Sequence, residues 1–336
     1  MRILINSHFF HPSVGGVETM GEALAMEWKS AGHDVRILTN TPLRDHEEIS
    51  RLEILRQPTV VERINSLRWA DILFRNGNAL RSLPAALLSG IPFVTRHARP
   101  LSKEYLGRLR SLLDKTTTHF GMNVGTSRPV TESIPGPVVQ IPNPVRDLFR
   151  NDTNGVREGL LFAGRLVSRK GVDVALRALL HLHEQGHQIP LSICGDGTER
   201  ASLEELASNL GLSGYVTFRG WTDPEELAKL YRKSKVALIP SRKEPFGIVA
   251  LEAIASGCPV VASEVGGLPE AVGDCGILVD PDRPKELADG IETALQPETR
   301  RALREAMPAH VDRHRIDRIA KKYTTLFNIM IRDTNG

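Results

Sequence analysis

Only three of the 336 residues are cysteine, aromatic residues make up 5%, and the charges almost cancel, with 43 Lys and Arg against 40 Asp and Glu for a formal +3. Each scarcity excludes something. Cys194, Cys258 and Cys275 are odd in number and form no C-x-x-C pair, which argues against a disulfide framework or a zinc site. A near-neutral balance lacks the basic excess of a dedicated nucleic-acid binder. No apolar run approaches the roughly 18 residues that a membrane span needs. The first ten residues show no basic leader followed by an apolar run and a cleavage site. The expectation is a soluble, cytoplasmic protein without a nucleic-acid partner. At roughly 100–200 residues per domain, the length predicts two domains.

What charge there is lies unevenly. Residues 1–155 hold 19 of the basic and 15 of the acidic residues, and 16 of those 19 are Arg. Arg grips planar anions with two parallel hydrogen bonds, which Lys does not. The first half therefore has either a solvated Arg-rich surface or a face that meets something anionic.

Two segments open alike. Arg2–Asn6 reads as a buried strand, followed by a loop with Gly15-Gly16 and a helix from Val17 to about Ala31. Gly159–Ala163 is again a strand, followed by the loop 164–171 and a helix from Val172 to about Gln185. Further short apolar runs alternate with amphipathic stretches, near Val35–Thr39, Ile72–Arg75, Pro92–Arg96, Met122–Val124 and Val138–Ile141. They continue near Leu191–Cys194, Val216–Phe218, Val236–Ile239, Pro259–Ala262 and Ile277–Val279. Alternation of this kind predicts parallel sheets of the α/β class, here in two Rossmann-like domains. The turn-rich stretch 142–155 is the expected linker, giving domains 1–150 and 151–311. A basic helical stretch over 312–332 is expected to pack back on the first domain. Ligands of such sheets bind beyond the carboxyl ends of the strands, so two facing domains predict a site in the cleft between them.

The strongest pattern is S-R-K-E-P-F-G-I-V-A-L-E-A-I-A-S-G-C-P (Ser241–Pro259). Glu244 follows a strand and precedes a helix predicted from about Phe246 to Gly257. Glu252 lies eight residues later, about 12 Å along the axis. Carboxylates that far apart suit one extended ligand better than one shared proton, and a carboxylate accepts readily from vicinal hydroxyls. The ordinary alternative is a Glu complementing the helix dipole and a Glu on a solvated face. The neighbours Ala250, Leu251, Ala253 and Ile254 nevertheless predict a buried helix, where a carboxylate needs a partner.

This segment resembles the E-x7-E motif of retaining family 4 glycosyltransferases of the GT-B fold. A-G-R-L-V-S-R-K-G (Ala163–Gly171), I-C-G-D-G-T-E-R (Ile193–Arg200), V-T-F-R-G-W (Val216–Trp221) and G-G-L-P-E-A-V (Gly266–Val272) resemble the family in order and spacing. The first half is similar to it only at G-G-V-E (Gly15–Glu18), P-F-V-T-R-H (Pro92–His97) and I-P-N-P-V (Ile141–Val145).

The resemblance implies roles. Arg165 and Lys170 would neutralise a leaving nucleoside diphosphate; otherwise they are two exposed cations. Glu244, with the amides of Phe246, Gly247 and Ile248, would hold the donor sugar, and Glu252 the ribose. Gly195, and Gly220 with Trp221, would border the nucleotide, and Glu270 the same site from the loop G-G-L-P-E. Gly15 and Gly16 would let the backbone approach the donor phosphates or the acceptor. His97 would reach the sugar and acceptor region, with Arg99 as a grip for an anionic acceptor and Asn143 near the linker. His97 alone reads as readily as a structural residue, and Asn143 as a turn residue.

The implied activity is transfer of a hexose-type sugar from a nucleoside-diphosphate donor, UDP-linked, to an acceptor hydroxyl, with no metal and no other cofactor. The acceptor would be a glycan, a lipid-linked sugar or a small molecule, and the first half is short for the family. A sugar-nucleotide epimerase and a non-catalytic nucleotide-sugar binder remain alternatives. A dinucleotide dehydrogenase is disfavoured, since no G-x-G-x-x-G follows either first strand. A helix expected over Leu101–Lys115 sets Leu101, Tyr105, Leu109 and Leu112-Leu113 on one side. It reads as core packing or as a peripheral membrane contact.

Overall fold

The computed structural model describes residues 1–11, 15–43, 51–77, 83–152 and 155–335, apart from the side chains of residues 104 and 335. Positions 153–154 of the expected linker therefore lie outside the described residues. The chain divides into two units, residues 1–144 with 314 onward, and Val145–Arg313. The boundary falls before the expected position 150, because Val145 and Phe149 are packed in the core of the second unit.

The first unit runs β1 (Arg2–Ser7), α1 (Gly16–Ser30), β2 (Asp34–Thr39), β3 (Glu53–Arg56), α2 (Val60–Trp69), β4 (Ile72–Asn76) and α3 (Leu83–Ser89). It continues with β5 (Phe93–His97), α4 (Lys103–Leu106), α5 (Arg108–Thr117), β6 (Met122–Gly125), α6 (Arg128–Glu132) and β7 (Val138–Gln140). The strands form one parallel sheet in the order β3-β2-β1-β4-β5-β6-β7. Alternate residues serve opposite faces, as the pleat requires. Ile3, Ile5, Val35, Ile37, Ile72 and Phe74 pack on one side with Trp28, Tyr323 and Phe327. Leu4, Leu38, Leu73 and Phe93 pack on the other with Leu67, Leu83 and Ala86. Strand β3 escapes the sequence reading because it is a four-residue edge strand, charged at both ends and nowhere fully buried.

The second unit runs β8 (Leu160–Ala163), α7 (Val172–Glu184), β9 (Leu191–Cys194), α8 (Arg200–Asn209), β10 (Val216–Gly220), α9 (Pro224–Lys233) and β11 (Val236–Ile239). It ends with α10 (Ile248–Ala255), β12 (Val260–Ser263), α11 (Leu268–Val272), β13 (Gly276–Val279), α12 (Pro284–Leu295) and α13 (Pro297–Arg313). Its sheet is parallel in the order β10-β9-β8-β11-β12-β13. The order reverses at β8, a switch point that opens the carboxyl ends of β8 and β11 to a ligand. The three cysteines are free and buried.

The last helix, α14 (Ile316–Asn335), belongs to the first unit and packs on α1. Trp28 Nε1 donates to the Ala320 carbonyl at 3.3 Å, and the Trp28, Phe74 and Tyr323 rings meet edge to face. Such pairs add about 1 kcal/mol each to the area they bury.

The helix expected over Leu101–Lys115 is two helices, α4 and α5, parted at Gly107 with φ 77°. Of its two readings, core packing does not hold along α5: Leu109, Leu112 and Leu113 are 72%, 63% and 44% exposed, while Ser111 and Asp114 are buried. The cause lies beneath. Arg75 is buried among Thr95 and the Phe93 ring, and Asp114 supplies it with negative charge. Ser111 Oγ donates to the Leu101 carbonyl at 2.6 Å. Leucines pointing inward would displace the Asp114 charge from beside that guanidinium.

Candidate functional site

The second unit brings most of the expected residues to one end of its sheet. After β8 the chain turns through Arg165 and a single 3-10 turn, Ser168–Lys170, into α7. Leu166 is fully buried and pins this loop, while Arg165 stands exposed. Strand β11 pairs with β8, so the loop carrying Glu244 emerges beside it. Lys170 Nζ donates to Glu244 Oε2 at 2.5 Å, with side chains only 15% and 11% exposed. Two residues 74 apart in sequence thus form one nearly buried ion pair.

Two glycines allow these loops to touch. Gly171 (φ 66°) lies where a Cβ would stand 1.9 Å from the Pro240 carbonyl oxygen, and Gly266 (φ 55°) where one would stand 2.0 Å from that of Glu244. Gly267 N also donates to the Glu244 carbonyl at 3.0 Å. Gly266→Ala is expected to cost about 2 kcal/mol or more, through a left-handed backbone and a backbone clash together. Urea denaturation of wild type and variant measures it.

Helix α10 begins at Ile248, two residues later than expected, so Phe246 and Gly247 precede it. Phe246 is buried in the core and fixes this entry. Glu252 is buried inside α10 and accepts from Arg146 Nη2 at 3.1 Å. Burial pushes its carboxyl up to about 7, against the pull of Arg146. The Arg146 guanidinium rests over the Phe149 ring at 5.0 Å. Arg146 was missed in the sequence, being 106 positions from its partner.

Arg242 was missed as well. Its guanidinium bonds both Asp173 oxygens (2.9 and 2.7 Å), Asp282 (2.5 Å) and the Ser168 carbonyl (2.6 Å). Burial alone would raise Asp173, but the Arg242 hydrogen bonds and charge outweigh it and hold the carboxyl low. The negative charge in the first turn of α7 is thereby neutralised where an anion would approach. A basic residue next to K-E-P in the motif was the only available signal.

At the far edge, Gly195 N donates to the Gly220 carbonyl at 2.7 Å, joining the loops after β9 and β10. Trp221 is 67% exposed there. Glu270 lies in the first turn of α11 and not in a loop as expected; Pro269 at its start favours the turn.

The remaining expected residues belong to the first unit. Gly15 caps α1 in an extended conformation that any residue adopts, and Gly16 is the first helical residue. The expected steric need for glycine at Gly15 is therefore not met by its own backbone: a Cβ there would meet only the Glu18 side chain. His97 ends β5, 3% exposed, with Nε2 engaging Asn123 Oδ1 at 2.9 Å. Burial lowers its pKa to about 4, helped by Arg75 and Arg96, so the ring is neutral at pH 7. Arg99 is exposed. Asn143, expected to touch the acceptor, is buried: Oδ1 accepts from Arg96 Nη2 at 2.5 Å and its carbonyl from His314 Nδ1 at 2.9 Å. It secures the end of the first unit.

Residues 146–310 match the family described as Glycosyl transferases group 1. An uncharacterized glycosyltransferase of Methanocaldococcus jannaschii is 44% identical over 138 residues, 40% of this chain and 35% of that protein. A D-inositol 3-phosphate glycosyltransferase of Corynebacterium urealyticum is 42% identical over 176 residues, 49% of this chain and 42% of that one. The chain thus matches less than half the length of these relatives. In solved structures the fold recurs along nearly the whole chain. Anabaena HepE, solved with UDP and glucose, has a TM-score of 0.82 at 19% identity, covering 97% of this chain and 99% of that one. Sucrose-phosphate synthase from Thermosynechococcus elongatus has a TM-score of 0.79 at 22% identity, covering 99% of each.

Proposed function

We propose that this chain, whose residues 146–310 form a Glycosyl transferases group 1 domain, transfers a hexose-type sugar from a nucleoside diphosphate, UDP by preference, to an acceptor hydroxyl. Anomeric configuration is retained and no metal is required. The observation that carries this reading is the Lys170–Glu244 pair at the carboxyl ends of β8 and β11, with the buried Glu252 about one turn into the adjoining helix. The cation and the N-terminus of α7 offer a site for a diphosphate. Departure of that diphosphate builds negative charge, and Lys170 with Arg165 would stabilise it in the transition state. Glu244 and the amides of 246–248 would orient the sugar hydroxyls. Glu252 would accept from the ribose, while Gly195, Gly220 and Trp221 border the base. Glu270, in the first turn of α11, would lie beside the sugar. The leaving phosphate itself would take the acceptor proton on the departing face, which preserves configuration.

The acceptor hydroxyl is assigned to the first unit, with Gly15, Gly16 and Arg99 as its contacts and His97 acting as a neutral hydrogen-bonding ring. The titrating positive charge of an acid catalyst is absent from His97 at neutral pH. The working place of the enzyme would be the cytoplasm, where nucleotide sugars are made.

Thermal-shift titration with UDP-, GDP- and ADP-sugars tests the donor. Stabilisation by a UDP-sugar supports the reading, and stabilisation by NAD alone refutes it. Product analysis by NMR then reads the anomeric configuration; an epimerised donor formed without acceptor would instead mark an epimerase.

A further inference from the structure

Lysine carries its charge on a flexible stem, so the place of its ammonium depends on the backbone beneath. Lys170 stands on a single 3-10 turn that closes on two backbone bonds. Lys170 N donates to the Val167 carbonyl at 2.8 Å, and Gly171 N to the Ser168 carbonyl at 3.1 Å. Neither Val167, ahead of that turn, nor Gly171, ahead of α7, has a side chain able to cap a helix.

Arg242 holds the turn from outside. Its backbone N–H donates to the Arg169 carbonyl at 2.8 Å. Its Nη1 donates to the Ser168 carbonyl at 2.6 Å. Its fork grips both oxygens of Asp173, at 2.9 and 2.7 Å. The residues so bound flank Lys170 on both sides in the chain. Arg242 itself stands just before Glu244. One residue therefore ties the loop that carries the carboxylate of the ion pair to the turn that carries its ammonium. With the Nε bond to Asp282, all but one of the guanidinium N–H groups are committed within the protein. A group so committed acts through its neighbours and not on a ligand. Its bidentate grip and several partners also set it apart from an isolated surface pair, which fixes little.

Resting on the reading of Lys170 as a diphosphate ligand, we propose that Arg242 is the positioning residue for that lysine. Its rigid fork fixes both flanks of the turn at once, and with them the height and direction of the Lys170 stem. A lysine at position 242 would keep the charge but reach one flank only. Displacement of a binding group by about 1 Å is enough to cost up to about 100-fold.

Calorimetric titration of the full chain with UDP and with uridine tests it. Arg242→Lys is expected to weaken UDP about tenfold and to leave uridine, which has no phosphate, unchanged. The same substitution made together with Lys170→Met and Glu244→Gln has no ammonium left to place. There it is expected to alter UDP affinity by less than about twofold. A residue that only staples the fold would act equally in both backgrounds. The drop in melting temperature caused by Arg242→Lys should indeed be alike in the two, which separates its bonds in the fold from its effect on Lys170. UDP affinity unchanged by Arg242→Lys, uridine affinity lost along with it, or an equal loss of UDP affinity in both backgrounds would each overturn the positioning role and leave the diphosphate reading in place. A wild type that binds no UDP overturns that reading, and the positioning role falls with it.

Discussion

Lys170→Ala is expected to slow sugar transfer about 100- to 1000-fold, the usual consequence of removing one donor aimed at developing charge. Glu244→Ala should do comparable damage by releasing the sugar hydroxyls. Neither single result isolates catalysis, because the two side chains form one nearly buried pair. Removing one partner strands the other charge, at a cost of about 3–5 kcal/mol. The single variants should therefore melt earlier as well as react more slowly. Lys170→Met combined with Glu244→Gln removes both charges and keeps the volume. A buried pair replaced on both sides is often neutral or stabilising, so the double variant should recover most of the lost melting temperature. It should recover none of the rate. Initial rates of product formation beside circular-dichroism melting separate the two effects. Wild-type transfer in any of these variants would refute the assigned roles.

Glu244, Glu252, Arg165 and Lys170 stand out through the resemblance of their segments to a known family. The strand–loop–helix order of those segments is written locally, by apolar runs and turn residues. The strands followed for the same reason, since a period of two and a short length identify a buried strand without knowledge of its neighbours. What was not legible depends on distant partners. Arg146 reads as a linker cation until the fold sets it 3.1 Å from Glu252. Arg242 reads as a solvated residue until Asp173 and Asp282 close on it. Asn143 reads as a turn residue until Arg96 and His314 bury it. In α5 periodicity marked an apolar stripe yet left open whether it packs inward or faces outward, and it missed the break at Gly107. An apolar stripe states which side chains belong together. Which way they face is decided by what lies underneath, and here that is the buried Arg75.

Nucleotide affinity is expected to rise about tenfold between about pH 6 and about pH 8, through Glu252. Its carboxyl titrates near 7 because burial disfavours the charge and Arg146 only partly compensates. A carboxylate accepts from both ribose hydroxyls, whereas the protonated form gives up one acceptor position to its own proton. Binding therefore strengthens as pH rises through the folded-state value. Stability runs the other way. A carboxyl raised in the folded state binds a proton that the unfolded chain has already released, so its contribution falls as pH climbs from the ordinary carboxylate range to about 7, and then levels. Calorimetric titration with UDP across this range, beside urea melts, reads both slopes. Glu252→Gln should bind weakly and lose the Glu252 part of the dependence, leaving only that of the nucleotide's own phosphate. Arg146→Met distinguishes a lost carboxylate from a mispositioned one. Without the guanidinium, burial acts unopposed and moves the midpoint further up, so affinity should fall at pH 7 and return at higher pH. No such return is available to Glu252→Gln. If the two variants respond alike to pH, or if the wild-type slope survives in Glu252→Gln, Glu252 does not hold the nucleotide.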